Sequence, residues 1–271
     1  MAGVVHATAV VDPSARLSDG VVVGPHAFIG PDVEVGRDTE IGAGAQIARS
    51  TRMGAENKVY GNACIGFDPQ DLKYGGEETV LEVGDRNHFR EFCTVHRGTG
   101  LGGGKTTIGD GNLFMAYSHV AHDCNVGDHT VFANAGTLAG HVEVGDGATV
   151  GAFTAVHQFC RVGRRAYIGG YSVITKDALP FMKTVGIKPV CLGLNTIGLQ
   201  RAGVSEESIA RLDAAARILL RGGLNTGQAL DRIETEAGDS AEVADLIAFI
   251  RSSERGVITR LPGRRGGRGG E

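Results

Sequence analysis

The stretch Ser118-His119-Val120-Ala121-His122-Asp123-Cys124-Asn125-Val126-Gly127 places two histidines and an aspartate inside an otherwise aliphatic, glycine-rich sequence. Two further histidines follow, His141 and His157. Three chemistries suit such a set. An imidazole titrates near neutrality, so His122 can act as a general base with Asp123 orienting it. Three imidazoles around a zinc ion with one open position would make a hydratase-like centre. Alternatively, each ring caps a backbone corner by hydrogen bonding and does nothing more. The choice depends on how the aliphatic residues around them place these groups.

Stepping by six from Val5 gives Val5, Val11, Leu17, Val23, Ile29, Val35, Ile41, Ile47, Met53, Val59 and Ile65, all apolar. The beat resumes at Val83, Phe89 and Val95, then runs from Ile108 through Val120, Val126, Leu138 and Val156 to Ile174. A helix repeats near 3.6 residues and a simple strand near 2, whereas a repeat of six marks a hexapeptide β-helix. Three hexads make one triangular coil of about 18 residues, and coils stack about 4.8 Å apart. The aliphatic residue and the small one four later (Ala27, Ala45, Ala63) point inward. Glycine, abundant at 43 of 271 residues, is expected at the corners. On this register His122 and His141 face outward one coil apart, about 5–7 Å from each other. His119 and His157 lie on the same or neighbouring strips.

The β-helix is expected over residues 1–175, interrupted by loops at 67–82 and 97–107, the second rich in glycine. After Thr175 the hexads fail, and residues 176–262 read as a linker and an α-helical domain. Ser205 precedes Glu206 and Glu207 as a helix N-cap. Ile209, Leu212, Ala216 and Leu219 give that helix an apolar face. Further helices are expected over about Gly227–Glu236 and after Ser240. Residues 263–271 read as a disordered tail. Net charge is −4, which argues against nucleic acid as a partner. No apolar run approaches the roughly 18 residues of a membrane span, and Met1–His6 has no signal-peptide character. Cys64, Cys93, Cys124, Cys160 and Cys191 are scattered without a CxxC pair, as expected for reduced, buried thiols in a cytoplasmic protein.

Five segments carry a family resemblance: Gln70-Asp71-Leu72-Lys73-Tyr74, Val95-His96-Arg97-Gly98-Thr99, Ala121-His122-Asp123-Cys124, Leu138-Ala139-Gly140-His141-Val142 and Ala155-Val156-His157-Gln158-Phe159. Together, in this order, the chain closely resembles the acyl-carrier-protein-dependent UDP-N-acetylglucosamine O-acyltransferases of lipid A synthesis. The resemblance implies a left-handed parallel β-helix with a helical C-terminal domain, a homotrimer with sites between subunits, and no cofactor or metal. It implies transfer of a (3R)-3-hydroxyacyl group from acyl carrier protein to the 3-hydroxyl of UDP-N-acetylglucosamine.

Residue by residue, the resemblance makes His122 the general base, Asp123 its orienting carboxylate and the Gly140 N–H the oxyanion donor. Lys73, Gln70 and Asp71 match substrate contacts on the first loop. His119, His141, His157 and Gln158 match the lining of the nucleotide-sugar and pantetheine groove, and Asn195 and Arg201 the residues meeting uridine and phosphate. Gly170 matches the position that limits acyl length, and a glycine there implies a long chain. Arg161, Arg164, Arg165, Arg211, Arg217 and Arg221 are candidates for docking the acidic carrier protein. The chain departs from the family at Ile197, where an acidic residue is frequent, and at Ala202, within a run often more basic. A 3-amino sugar as acceptor, or a zinc-dependent hydratase, stays open on the residues alone.

Overall fold

The computed structural model describes residues 3–237, 240–259 and 261. The expected tail at 263–271 lies outside the described residues. From Val4 to Ile174 the chain winds through short parallel strands that fall into three sheets, one on each face of a triangular prism. The first face carries Val23, Ile41, Val59, Phe89, Phe114 and Phe132, the second Ile29, Ile65, Val95, Val120, Leu138 and Val156, and the third Val35, Met53, Val83, Ile108, Val126 and Val144. All of these point into one continuous buried core. Phe89, Phe114 and Phe132 stack inside it with ring centres 5.0 and 4.8 Å apart.

The corners are built differently from the sequence expectation. Among the described residues, eighteen non-glycine residues hold positive φ, mostly at the third position after the inward aliphatic, among them Asp123 at 59° and His141 at 62°. Left-handed backbone costs an L-residue about 1–2 kcal/mol, which the fold offsets by packing each coil on the next. Many of the glycines after the strands serve close approach instead. A Cβ on Gly36, for instance, would overlap the backbone of Gly54 one coil on. A period of six therefore demands small residues where coils touch, and leaves the turning to residues of many types.

Buried side chains continue the ladder where the backbone turns. Asn57 Oδ1 accepts from Asn87 N (2.8 Å), Asn87 Oδ1 from Asn112 N (2.9 Å) and Asn112 Oδ1 from Thr130 N (2.7 Å). Such stacking satisfies inward-facing amides that water cannot reach.

Both loops are shorter than expected. Val80–Val83 and Lys105–Ile108 are strands, paired to each other in register from Val80↔Lys105 to Val83↔Ile108. The excursions are thus 68–79 and 97–104, and the pairing of their ends holds them side by side. Beyond Ile174 the expected irregular link is a hairpin, Met182–Val185 with Val190–Leu194, that extends the first face. Four helices follow: α1 (Thr196–Arg201), α2 (Glu206–Arg221), α3 (Thr226–Glu236) and α4 (Ala241–Arg251). The Ser205 hydroxyl caps α2 by accepting from Ser208 N at 3.1 Å. α1 went unforeseen because it is a single short turn with no side-chain cap. Leu212, Leu219, Leu230, Ile233 and Leu246 form the second core. Arg161 ties the two together, donating to Asp177 Oδ2 (3.0 Å), Phe249 O (2.8 Å) and Ser252 Oγ (3.0 Å). That commitment removes Arg161 from the docking candidates. Arg211 and Arg217 are ion-paired within α2, with Glu207 and Asp213.

Candidate active site

The corner between the second and third faces carries the histidines. Two columns run along it, one residue per coil: residues 122, 140 and 158 in the first, and 123, 141 and 159 in the second. The His122 ring lies over Gly140, where a Cβ would come within 2.5 Å of His122 Cε1. Only glycine at 140 leaves the ring its place. In the second column Asp123, His141 and Phe159 all have left-handed backbone. The His141 ring stacks on Phe159 at 4.4 Å and meets the His122 ring edge-on at 5.2 Å.

Asp123 is the centre of the hydrogen bonding. Its carboxylate is 1% exposed. Oδ2 accepts from His122 Nδ1 at 2.7 Å and from the Thr99 hydroxyl at 2.7 Å, and Oδ1 accepts from Thr99 N at 2.8 Å. Its own N–H donates to Thr106 Oγ1 at 2.8 Å. A carboxylate only accepts, so His122 Nδ1 carries the proton and Nε2 presents a lone pair. The His122 side chain is 13% exposed, enough for Nε2 to reach a ligand. Among the described residues, the Gly140 N–H donates to no protein acceptor.

His141 Nε2 stands 3.8 Å from Asp123 Oδ2. Partial burial lowers its pKa, and the nearby Asp123 opposes that shift. His119 sits on the strand beneath, with Nδ1 2.7 Å from Thr94 Oγ1. Burial pushes its pKa down to about 4, with His96 and His122 adding to the effect, so the ring is neutral at pH 7. His96 packs edge-on against His119 at 5.2 Å and is likewise lowered by burial.

The donor atoms of His122, Asp123 and His141 lie within 4.8 Å of one another, close enough to hold a cation. An ion there would compete with the His122 Nδ1–H and the Thr99 hydroxyl for the same oxygen. The arrangement suits a hydrogen-bonded base better than a ligand set.

The remaining expected site residues are not all gathered at this corner. His157 and Gln158 are exposed one coil on, His157 Nδ1 lying 3.1 Å from Gln158 O. Asp71 lies close enough to His141 to oppose slightly the lowering of that ring's pKa by burial, and the Asp71 carboxylate accepts from Lys73 N at 3.0 Å. Gln70 and Lys73 extend exposed from the 68–79 loop. Gly170 is on the corner between the first and second faces, beside Tyr171. Asn195 is at the remaining corner, donating to Arg165 O at 3.2 Å. There it lines a cavity of about 740 Å³ with Arg201, Ile197, Arg165, Tyr167, Asp128 and Asp146. One chain thus separates the expected base from the expected nucleotide contacts.

Two residues that sequence reasoning left out are Thr99 and Arg97. The buried guanidinium of Arg97 donates to Gly66 O (2.8 Å), to the Tyr74 hydroxyl (3.0 Å) and to Asp68, clamping the two loops together. Both residues sit inside a quoted motif, but the glycines around them break the hexad count, so their direction was unreadable. The five cysteines are unpaired, four of them buried and Cys64 half-buried. Burial raises the Cys93 thiol to about 11 and Cys124 to about 12, which leaves them unreactive.

Residues 177–258 match the family model described as UDP-N-acetylglucosamine O-acyltransferase, domain 2. Residues 14–49 and 141–176 match that of the bacterial transferase hexapeptide, six repeats. Named relatives include the acyl-[acyl-carrier-protein]–UDP-N-acetylglucosamine O-acyltransferases of Halorhodospira halophila and Syntrophobacter fumaroxidans. The first is 48% identical over 94% of this chain and 98% of its own, the second 47% over 94% and 99%. Among solved structures, the UDP-N-acetylglucosamine O-acyltransferase of Moraxella catarrhalis superposes with a TM-score of 0.91 at 40% identity, covering 94% of this chain and 99% of that one. The Francisella novicida UDP-N-acetylglucosamine acyltransferase gives 0.92 at 33% identity, covering 96% and 95%. The fold is therefore the left-handed β-helix of these proteins with a helical C-terminal domain, and the chain belongs to the acyl-carrier-protein-dependent UDP-N-acetylglucosamine O-acyltransferase family.

Proposed function

We propose that this chain transfers a (3R)-3-hydroxyacyl group from acyl carrier protein to the 3-hydroxyl of UDP-N-acetylglucosamine, by direct attack with His122 as general base. The hydrogen bond from His122 Nδ1 to the buried Asp123 carboxylate carries the reading, because it leaves Nε2 free to take a proton. His122 removes the hydroxyl proton as the sugar oxygen attacks the thioester carbon. A C–O bond forms, and the carbonyl oxygen gains charge that the Gly140 N–H can meet. The C–S bond then breaks, and the proton on His122 passes to the departing pantetheine sulfur. No cofactor enters this balance.

The acceptor and donor are those in the relatives' names. Lys73 and Asp71 on the first loop and His141 on the corner surround the sugar, with His119 neutral beneath and His157 and Gln158 extending the groove. Asn195 and Arg201 then bind uridine and diphosphate from a neighbouring subunit of a homotrimer. That assignment is supported by the separation of the two residue sets on different corners of one chain. Arginine suits the diphosphate by bidentate hydrogen bonding. A Cβ at Gly170 would meet only the Ala152 backbone, its O at 3.1 Å and its N at 3.8 Å, and no side chain, so the groove beside it is open to a long acyl chain. Among the described residues no helix is long and apolar enough to cross a membrane, and a cytoplasmic site of action follows from the need for the carrier protein.

The test is an acyl-transfer assay. The purified protein is given 3-hydroxyacyl carrier proteins of several chain lengths, with UDP-N-acetylglucosamine or its 3-amino analogue, and products are identified by mass. An ester on UDP-N-acetylglucosamine, favouring the longer chains, is expected. Amide product alone would replace the acceptor, and activity strictly dependent on bound zinc would replace the mechanism.

A further inference from the structure

Asp123 does not hold His122 unaided. Thr99 offers it two donors, the backbone N–H to Oδ1 at 2.8 Å and the hydroxyl to Oδ2 at 2.7 Å. The hydroxyl in turn accepts from Gly102 N at 3.1 Å, so its own proton is committed to the carboxylate. Thr99 is 3% exposed, and water does not substitute for it. The loop behind it is fixed from two sides. Gly100 N donates to Glu77 Oε1 at 3.0 Å, and Arg97 joins the loop to Tyr74 and Asp68. A Cβ at Gly102 would overlap the Asp123 carboxylate, so the loop closes directly over it.

We propose that Thr99 is a positioning residue for the His122–Asp123 pair, a role that rests on His122 being the base. Two fixed donors set the plane of the carboxylate, and that plane aims Oδ2 at His122 Nδ1. The hydroxyl also shares the charge on Oδ2, which tempers its attraction for an imidazolium. The titratable groups facing His122 are Asp123 on its own corner, His141 on the next coil, and His96 and His119 on the strands beneath, while Asp71 faces His141 from the first loop. Thr99 is not itself ionisable, so removing its hydroxyl acts on this set through Asp123 and through the loop that Gly102 N ties to it.

The test compares Thr99→Val, which keeps the volume, and Thr99→Ser, which keeps the hydroxyl, with His122→Ala as the reference. In Thr99→Val, kcat should fall about 10- to 100-fold, the worth of one hydrogen bond to a charged group. KM should change little. The acid limb of the kcat/KM pH profile should move to higher pH, because a carboxylate with one donor fewer holds a protonated His122 more tightly. Thr99→Ser should stay near the wild type in both. If Thr99→Val fails to fold, Thr99→Ala bears the same comparison. A fall in kcat with an unmoved acid limb would make Thr99 a packing residue only, and wild-type behaviour of the valine variant would overturn its role entirely. If instead His122→Ala keeps wild-type turnover, the base assignment itself is lost, whatever Thr99 does.

Discussion

Two corners of the same prism treat the same backbone group in opposite ways. At the corner between the third and first faces, the aspartates two residues after Ile108, Val126 and Val144 each accept from the corner amide one coil below. Asp110 Oδ1 accepts from Asp85 N (2.8 Å), Asp128 Oδ1 from Asp110 N (2.7 Å) and Asp146 Oδ1 from Asp128 N (3.0 Å). The equivalent positions at the histidine corner are His122, Gly140 and Gln158. None of these three is a carboxylate, and among the described residues the amides of His122 and Gly140 have no protein acceptor. A β-helix corner therefore has an orphan donor built into its geometry. Capped by aspartate it stabilises the rod, and left open beside an imidazole it can meet a developing oxyanion.

The sharpest way to break this contrast is to remove the imidazole. His122→Ala should lower kcat by about 10²–10⁴-fold, the usual contribution of a general base, while the thermal midpoint stays near that of the wild type. Steady-state kinetics with a calorimetric scan would show it. A small loss would mean that the open corner is not where the proton moves.

Gly140→Ala tests the other half of the corner. The added methyl would meet His122 Cε1 at 2.5 Å and push the ring aside, while the amide stays in place. Displacing a reacting group by about 1 Å costs about 10²-fold. A loss of that order in kcat, with KM for the sugar nearly unchanged, is expected. Full activity would show that the ring can stand elsewhere and that the close contact is incidental.

Sequence reasoning reached one corner and not the other. The coil period places His122 one coil from Gly140 and Asp123 one coil from His141, because inward valines and leucines keep the beat through this region. Thr99 escaped because the 97–104 loop suspends that beat, and no count of residues reveals which carboxylate a loop threonine faces. The positive-φ corner residues escaped for another reason. Tyr, Phe, Arg and Asp fill them as readily as glycine does, because packing between coils, and not local preference, sets the turn. The 182–194 hairpin looks like a link in the sequence because it turns back antiparallel after one last parallel pairing, which ends the hexad pattern while the sheet continues. Family resemblance marks Asn195 and Arg201, but their place on a different corner is visible only in three dimensions.

The aspartate corner should respond in the opposite sense, and more weakly. Asp110→Ala deprives the Asp85 N–H of its acceptor and removes the Arg86–Asp110 contact at 3.4 Å. The ion pair counts for little, since both side chains are about half exposed and screened by water and salt. The amide matters more, but Asp110 is 41% exposed, so water can take over part of the bond. A cost of about 1 kcal/mol follows, the lower end for an orphaned donor. In a chain of this length that lowers Tm by about 2–4 °C. Turnover should not change, because Asp110 lies neither at the histidine corner nor in the lining of the cavity beside Asn195 and Arg201. A large drop in kcat at unchanged Tm would contradict the division of labour between the corners. A drop in Tm with kcat intact is what an amide capped for stability requires, and it is the mirror image of the result expected from His122→Ala.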